Sequence, residues 1–187
     1  MEYWRYINLW LLIDRLKEKF LRFYRRKVFL SRIGCKNAKN CVVLGKVNVL
    51  ASNVTIGNNV TIFPDVTFWG DGEIVIGSNV EIGNNTIIFS SKNGGVIMDD
   101  NVSIAAHCYI IDSDHGIEKD TLIRDQKMSS EKITIGKDVW IADNCTILKG
   151  SIINNGVVIG AKSLVNSEIE SYGIAVGVPV KVIKKRV

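Results

Sequence analysis

Ile56-Gly57-Asn58-Asn59-Val60-Thr61-Ile62-Phe63-Pro64-Asp65-Val66-Thr67-Phe68 brings an apolar residue back every six positions, at Ile56, Ile62 and Phe68. The same spacing continues on both sides. After two extra residues come Ile76, Ile82 and Ile88; after four extra, Met98, Ile104 and Ile110. After nineteen extra come Ile135, Ile141 and Ile147, followed directly by Ile153, Ile159 and Val165. Backwards, the register extends to Leu50, Leu44 and Ala38. Val stands four residues after the first member of each triplet, at Val42, Val60, Val80, Val102, Val139 and Val157. Every irregular spacing falls after the third six.

A repeat at a fixed short period, one side chain in six buried, describes a solenoid rather than a sheet folded on itself. Each six is a short strand and a turn, and three sixes make one coil of a triangular prism. Coils stack at the strand spacing of about 4.8 Å, so the lead aliphatics form ladders inside. Asn and Gly serve the corners (Asn58-Asn59, Asn84-Asn85, Asn154-Asn155-Gly156), where left-handed backbone angles are needed. A β-sandwich would need longer strands and irregular loops.

Ile56-Gly57-Asn58-Asn59-Val60-Thr61 and Ile82-Gly83-Asn84-Asn85-Thr86 resemble the hexapeptide repeat of left-handed parallel β-helix acyltransferases, over about residues 38–183. The resemblance implies an all-β prism of about six coils, its left hand an exception to the right-handed crossover rule. Three segments are expected: an N-terminal amphipathic helical segment over 1–37, the β-helix over 38–183 with a loop insertion at 116–132, and a basic tail over 184–187.

The net charge of +5 is not spread over the repeat. Residues 1–32 carry nine Lys/Arg and three Asp/Glu, residues 181–187 carry four basic residues, and the stretch between is net −5. That excludes a basic nucleic-acid-binding face. Cys35, Cys41, Cys108 and Cys145 show no C-x-x-C pair or His at zinc spacing, so no metal is expected. The apolar run Tyr6–Ile13 is too short to span a bilayer and lacks the pattern of a secretion signal. The chain is therefore placed in the cytoplasm. In residues 1–32, Leu9, Ile13, Leu16, Phe20 and Phe23 recur at helical spacing, opposite Arg15, Lys17, Glu18, Lys19, Arg22, Arg25 and Arg26, with Tyr3, Trp4, Tyr6 and Trp10 near the start. Such a helix can cap the open end of the prism or lie on the inner face of the inner membrane.

Chemistry is sought where the repeat is broken, because long loops on a rigid scaffold carry function. His115 opens the nineteen-residue insertion, and Asp112 and Asp114 flank it. A carboxylate beside an imidazole can orient it and raise its basicity. Ile111-Asp112-Ser113-Asp114-His115-Gly116-Ile117, then Gln126, then Ile135-Gly136-Lys137-Asp138-Val139-Trp140-Ile141, resemble the sugar O-acetyltransferase branch. In that branch the histidine at the loop start is the catalytic base, so the resemblance gives His115 that role. It implies direct transfer from acetyl-CoA in a ternary complex within a homotrimer, with active sites between subunits. The backbone N–H of the residue after Trp140-Ile141, Ala142, is matched to the oxyanion donor. Ala142 replaces the usual Gly, and Asp143 follows where Ser or Ala is usual.

Ile159-Gly160-Ala161-Lys162-Ser163-Leu164-Val165 and Gly177-Val178-Pro179-Val180-Lys181-Val182-Ile183 resemble the family's coenzyme A-binding segments. The match assigns acyl-CoA contacts to Trp140, Ala142, Gly160, Ala161 and Lys162, and phosphate contacts to Lys181 and Lys184, with Lys185 as a helper. Ser90 and Ser91, in the small insertion after Ile88, are candidates for an acceptor pocket. His107 occupies a turn place held elsewhere by Asn59, Asn79, Asn85, Asn101 and Asn144, and is read as a corner residue or an acceptor contact. Cys108 and Cys145 occupy a core place in adjacent coils and are read as packing residues. The function expected is O-acetylation of a sugar, or of a lipid-linked saccharide, in bacterial surface-polysaccharide synthesis. The alternatives are N-acetylation of an amino-sugar nucleotide and a non-catalytic scaffold. Two histidines cannot supply the three zinc ligands of a γ-class carbonic anhydrase on the same prism.

Overall fold

The computed structural model describes residues 2–35 and 38–187, with side chains from Trp10 onward; the expectations for Tyr3, Trp4, Tyr6 and Leu9 lie outside the described side chains. One helix, α1 (Glu2–Arg32), precedes a parallel β-helix with three walls. The first wall stacks Val42–Val43, Thr61–Ile62, Glu81–Ile82, Ser103–Ile104, Trp140–Ile141, Val158–Ile159 and Gly173–Gly177 in parallel register. It therefore has seven rungs, one more than the six coils expected. Ile169 and Ala175 continue the ladders past Val165 at 3% and 0% exposure. The chain shortens in that last coil, which hid the pattern.

The interior is as the hexapeptide spacing requires. Ile62, Ile82, Ile104, Ile141 and Ile159 stack from the first wall, Phe68, Ile88, Ile110, Ile147 and Val165 from the second, and Ile56, Ile76, Met98, Ile135, Ile153 and Ile169 from the third, all buried. Each such side chain contributes about 1.5–3 kcal/mol. Val60, Val80, Val102, Val139 and Val157 form the expected supporting column.

The backward register needs correction. Val42 pairs with Thr61 and faces outward, while Val43 pairs with Ile62 and is buried. Leu50 pairs with outward-facing Trp69 and is 66% exposed, while Val49 pairs with Phe68. Cys41 and Val43 therefore hold the places assigned to Val42 and Leu44, and Val49 that assigned to Leu50. A slip of one residue inverts inside and outside. The residue that causes it lies between Val49 and Ile56, where the pairing is irregular at Ala51/Asn53. That is the corner that carries every other insertion.

Two corners are regular. At one, Asn40, Asn59, Asn79 and Asn101 hold φ of 54–62°, and their side chains form a ladder, each amide donating to the next at 2.9–3.1 Å. At the other, Asp65, Asn85, His107, Asn144 and Lys162 hold φ of 57–61°. His107 is thus the corner residue its spacing suggested. Asn and Asp tolerate this conformation because their short polar side chains bond locally. The third, the insertion corner, has no such repeat.

Both ends are closed. The C-terminal end of α1 plugs the first coil: Phe29 and Leu30 are buried, with the Phe29 ring 5.9 Å from that of Phe68. Arg25 donates to the Leu44 carbonyl at 2.9 Å and Arg26 to that of Ala38 at 3.1 Å. Thus the last turns of the helix act as the expected cap. At the far end Val180–Lys185 folds back antiparallel on Gly173–Gly177. Arg186 donates to the Asp138 carboxylate and the Gly156 carbonyl, both at 2.9 Å, so residues 184–186 are strand and anchor rather than a free tail.

Candidate active site

The insertion leaves the second wall at Ile111 and turns at once into a hairpin. Ser113–Asp114 pairs antiparallel with Ser129–Ser130, and the chain rejoins the third wall at Ile133. Asp112 sets its base. Its fully buried carboxylate accepts from the Ser90 hydroxyl at 2.9 Å, the Ser91 amide at 2.8 and 3.0 Å and the Gly95 amide at 2.7 Å. Gly94 must be glycine here, since a Cβ would collide with that carboxylate. The Ser91 hydroxyl reaches Ser130 at 2.7 Å. Asp112, Ser90 and Ser91 thus form one buried joint between the small insertion and the large one. Ser90 has no surface for an acceptor.

Within the hairpin, Gln126 is the organiser. Its side chain accepts from the Glu118 amide at 2.8 Å and donates to the carbonyls of Glu118 and Thr121 at 2.8 and 2.7 Å. The loop nonetheless exposes Ile117 (86%), Leu122, Ile123 and Met128.

His115 stands exposed at the foot of this hairpin. Neither flanking carboxylate meets it: Asp112 is turned into the joint, and Asp114 pairs with Lys149 at 3.3 Å. The expectation that Asp112 and Asp114 orient the imidazole is corrected accordingly. Alternate residues of an extended strand point to opposite faces, so neighbours in sequence need not meet. Among the described residues His115 has no hydrogen-bond or ionic partner. The carboxylate-paired histidine is His107, whose Nδ1 lies 3.2 Å from Asp143 Oδ1, with the Asn85 side chain 3.5 Å from Nε2.

The residues matched to acyl-CoA gather on the His107 corner and the far end of the prism. Ala142, Gly160, Ala161 and Lys162 occupy adjacent coils of that corner, with Ala161 and Lys162 exposed. Gly160 lies against Val176, the register partner of Lys181. Trp140 faces outward on the first wall over a groove of 460 Å³ that reaches Arg186. Lys184 stands three strands above, beside Ile174, and Lys185 pairs with Glu170 at 2.8 Å.

The Ala142 amide, however, is not a free donor: it bonds to the Ile159 carbonyl at 2.9 Å in the first-wall ladder. The next amide, of Asp143, donates to no described group, and the Asp143 side chain is turned toward His107. Cys108 and Cys145 are buried core residues as expected. The hydrogen bond with Cys145 and burial push the Cys108 thiol up, so it is no nucleophile at neutral pH. Among the described residues no group of His, Cys, Asp or Glu side chains could hold a metal ion.

Two features escaped the sequence reading. Ser113, between Asp112 and Asp114, has its hydroxyl buried with no hydrogen-bond partner among the described residues. Along the insertion corner, Leu50, Trp69, Phe89 and Ile111 stack rung on rung, ending four residues before His115. Trp69 is half exposed and meets Phe89 edge-on at 5.1 Å. An apolar residue just after an inward one is the signal that was available.

The comparisons with known proteins follow this geometry. Residues 132–167 match the family described as bacterial transferase hexapeptide (six repeats). Those residues carry the hexapeptide repeat of that family. The chain is 34% identical to the galactoside O-acetyltransferase of Escherichia coli over 131 residues, 70% of the chain and 63% of that protein. It is 39% identical over 90 residues to WbbJ of Escherichia coli, provisionally named a lipopolysaccharide-biosynthesis O-acetyltransferase, covering 44% of the chain and 46% of WbbJ. Its fold is similar to AntD, an N-acyltransferase of Bacillus cereus solved with dTDP-4-amino-4,6-dideoxyglucose and coenzyme A. The TM-score is 0.72 at 26% identity, over 80% of this chain and 82% of that one. The chain spans less than two thirds of the length of the curated relatives it matches first.

Proposed function

We propose that this protein moves an acetyl group from acetyl-CoA to a sugar hydroxyl in bacterial surface-polysaccharide synthesis, with His115 as general base. The observation that carries the reading is the placement of His115. It is exposed and unpartnered at the foot of the long insertion, the position that holds the base in the O-acetyltransferase branch.

His115 takes the hydroxyl proton as the oxygen attacks the thioester carbonyl. The carbon–sulfur bond then breaks, and the coenzyme A thiolate recovers the proton from the imidazolium. Asp143 N–H replaces Ala142 N–H as the donor to the developing oxyanion. Its carboxylate, which would oppose that charge, is held aside by His107. The small, exposed corner at Gly160 and Ala161, with Lys162, Lys181 and Lys184 nearby, suits a pantetheine arm ending in phosphates.

His115 and Asp143 lie on different corners of one prism, a wall apart, so one copy does not complete the site. A homotrimer with sites between adjacent prisms would bring them together, and the exposed apolar residues of the hairpin favour such a neighbour. The acceptor in this reading is a nucleotide sugar or a lipid-linked saccharide at the inner face of the membrane.

The likeness to AntD favours a second reading, acyl transfer to the amine of an amino-sugar nucleotide. An acceptor screen by mass spectrometry separates them: a mass gain on a saccharide without an amine, lost in hydroxylamine, means O-acetylation, and a gain on an amino-sugar nucleotide that survives hydroxylamine means N-acetylation. His115→Ala with unchanged acetyl-CoA turnover would remove the catalytic assignment.

A further inference from the structure

Among the described side chains of α1, those of the last turns are the ones the prism buries. Leu12, Ile13, Leu16, Phe20, Phe23 and Tyr24 remain 52–66% exposed. At 100° per residue they fall within about 120° of arc, a broad apolar face. Phe29, the plug, lies about 180° round the helix from Phe20, so this face is not an extension of the capping seam. Lys17 and Lys19 border it on either side, and Arg15 and Arg22 occupy the opposite side with Asp14 and Glu18. Residues 10–32 carry eight Lys/Arg against two Asp/Glu. No helix among the described residues is long and apolar enough to cross a membrane.

We propose that this face of α1 lies on an anionic lipid bilayer, its apolar arc in the headgroup boundary and its bordering lysines on lipid phosphates. Charge decides against the other occupant, the same helix of a second copy. In a seam built on Ile13, Leu16, Phe20 and Phe23, the flanking positions include Lys17 and Lys19. Identical helices would set positive against positive there, with no acidic partner to relieve it. An anionic surface satisfies both the apolar arc and the basic border. Long lysine side chains reach the phosphates while their stems stay in the boundary. The proposal does not depend on the transferase reading, because binding is measured without substrate.

The test is co-sedimentation of the full chain with vesicles of phosphatidylglycerol and phosphatidylcholine, against phosphatidylcholine alone, at low and high salt. The expected result is binding to the anionic vesicles that weakens as salt rises. Leu16→Glu with Phe20→Glu should cut the bound fraction roughly tenfold or more, with circular dichroism and assembly size unchanged. Lys17→Gln with Lys19→Gln should reduce the preference for anionic lipid. Absence of wild-type binding, or equal binding by the Leu16/Phe20 variant, overturns the proposal. So does a variant that changes assembly size while binding vesicles as before, since the face would then be a subunit contact.

Discussion

The two histidines stand eight residues apart on corners of opposite character. His107 sits at a regular corner, in a left-handed conformation shared with residues above and below it, and its imidazole is tied to Asp143. His115 sits where the repeat breaks, and no side chain of its own coil restrains it. A regular corner is constrained by the coils on either side, so its residues are chosen for backbone angle first. The insertion corner is tied to the prism at its base through Asp112 and braced within by Gln126, and it leaves His115 and the apolar side chains of the loop facing outward.

The largest effect expected from breaking this contrast is at His115. His115→Ala should lower kcat by about 10²–10⁴-fold, the range for losing a general base, without moving the melting temperature. Thiol release from acetyl-CoA with the identified acceptor reads it. Next comes Asp112→Ala, which leaves the Ser91 and Gly95 amides without their acceptor, while the Ser90 hydroxyl keeps the Glu73 carbonyl at 3.0 Å. At about 1–3 kcal/mol each, the loss should reach about 2 kcal/mol or more in denaturant unfolding. Asp114→Ala, whose Lys149 partner is near the surface, should cost less than about 1 kcal/mol in the same assay.

The regular corners predict smaller effects of another kind. Asn79→Ala should cost about 1–2 kcal/mol, because it puts an ordinary side chain at a left-handed φ of 58° and interrupts the amide ladder. His107→Asn installs the residue type that Asn85 and Asn144 already use there, so stability should stay within about 0.5 kcal/mol. If His107 holds the Asp143 carboxylate aside, kcat should nonetheless fall severalfold, and adding Asp143→Asn should restore it. A fall that the second substitution leaves unchanged would mean that His107 contributes through its own imidazole.

The fold was legible because the solenoid writes its geometry into the chain: one buried residue in six, and Asn where φ is positive. The error at Val42, Leu44 and Leu50 arose where a single extra residue sat between two equally apolar candidates, so hydrophobicity could not fix which one faced inward. The seventh coil was missed because it is shortened and ends in Ala175 rather than a large aliphatic.

At the site, positions were more legible than contacts. His115 is marked by the break in the repeat. That Asp112 turns away from it depends on strand alternation and on Ser90, Ser91 and Gly95 one coil below. That the Ala142 amide is consumed depends on the Ile159 carbonyl, seventeen residues along the chain and one coil away in space. Such pairings follow from the stack, and no local motif encodes them.

The stoppers at the two ends set how tall the stack can be. Phe29 and Leu30 end it at the bottom, and the reversed strand Val180–Lys185 ends it at the top, while the coils between are interchangeable in outline. Inserting or deleting one whole coil in the middle would leave both stoppers in place and would shift the upper part by about 4.8 Å along the axis. The distance from α1 to the insertion at His115 is therefore an adjustable dimension, measured in whole coils. Two proteins of this design that differ by one coil would present the same chemistry at different heights above whatever the helix rests on.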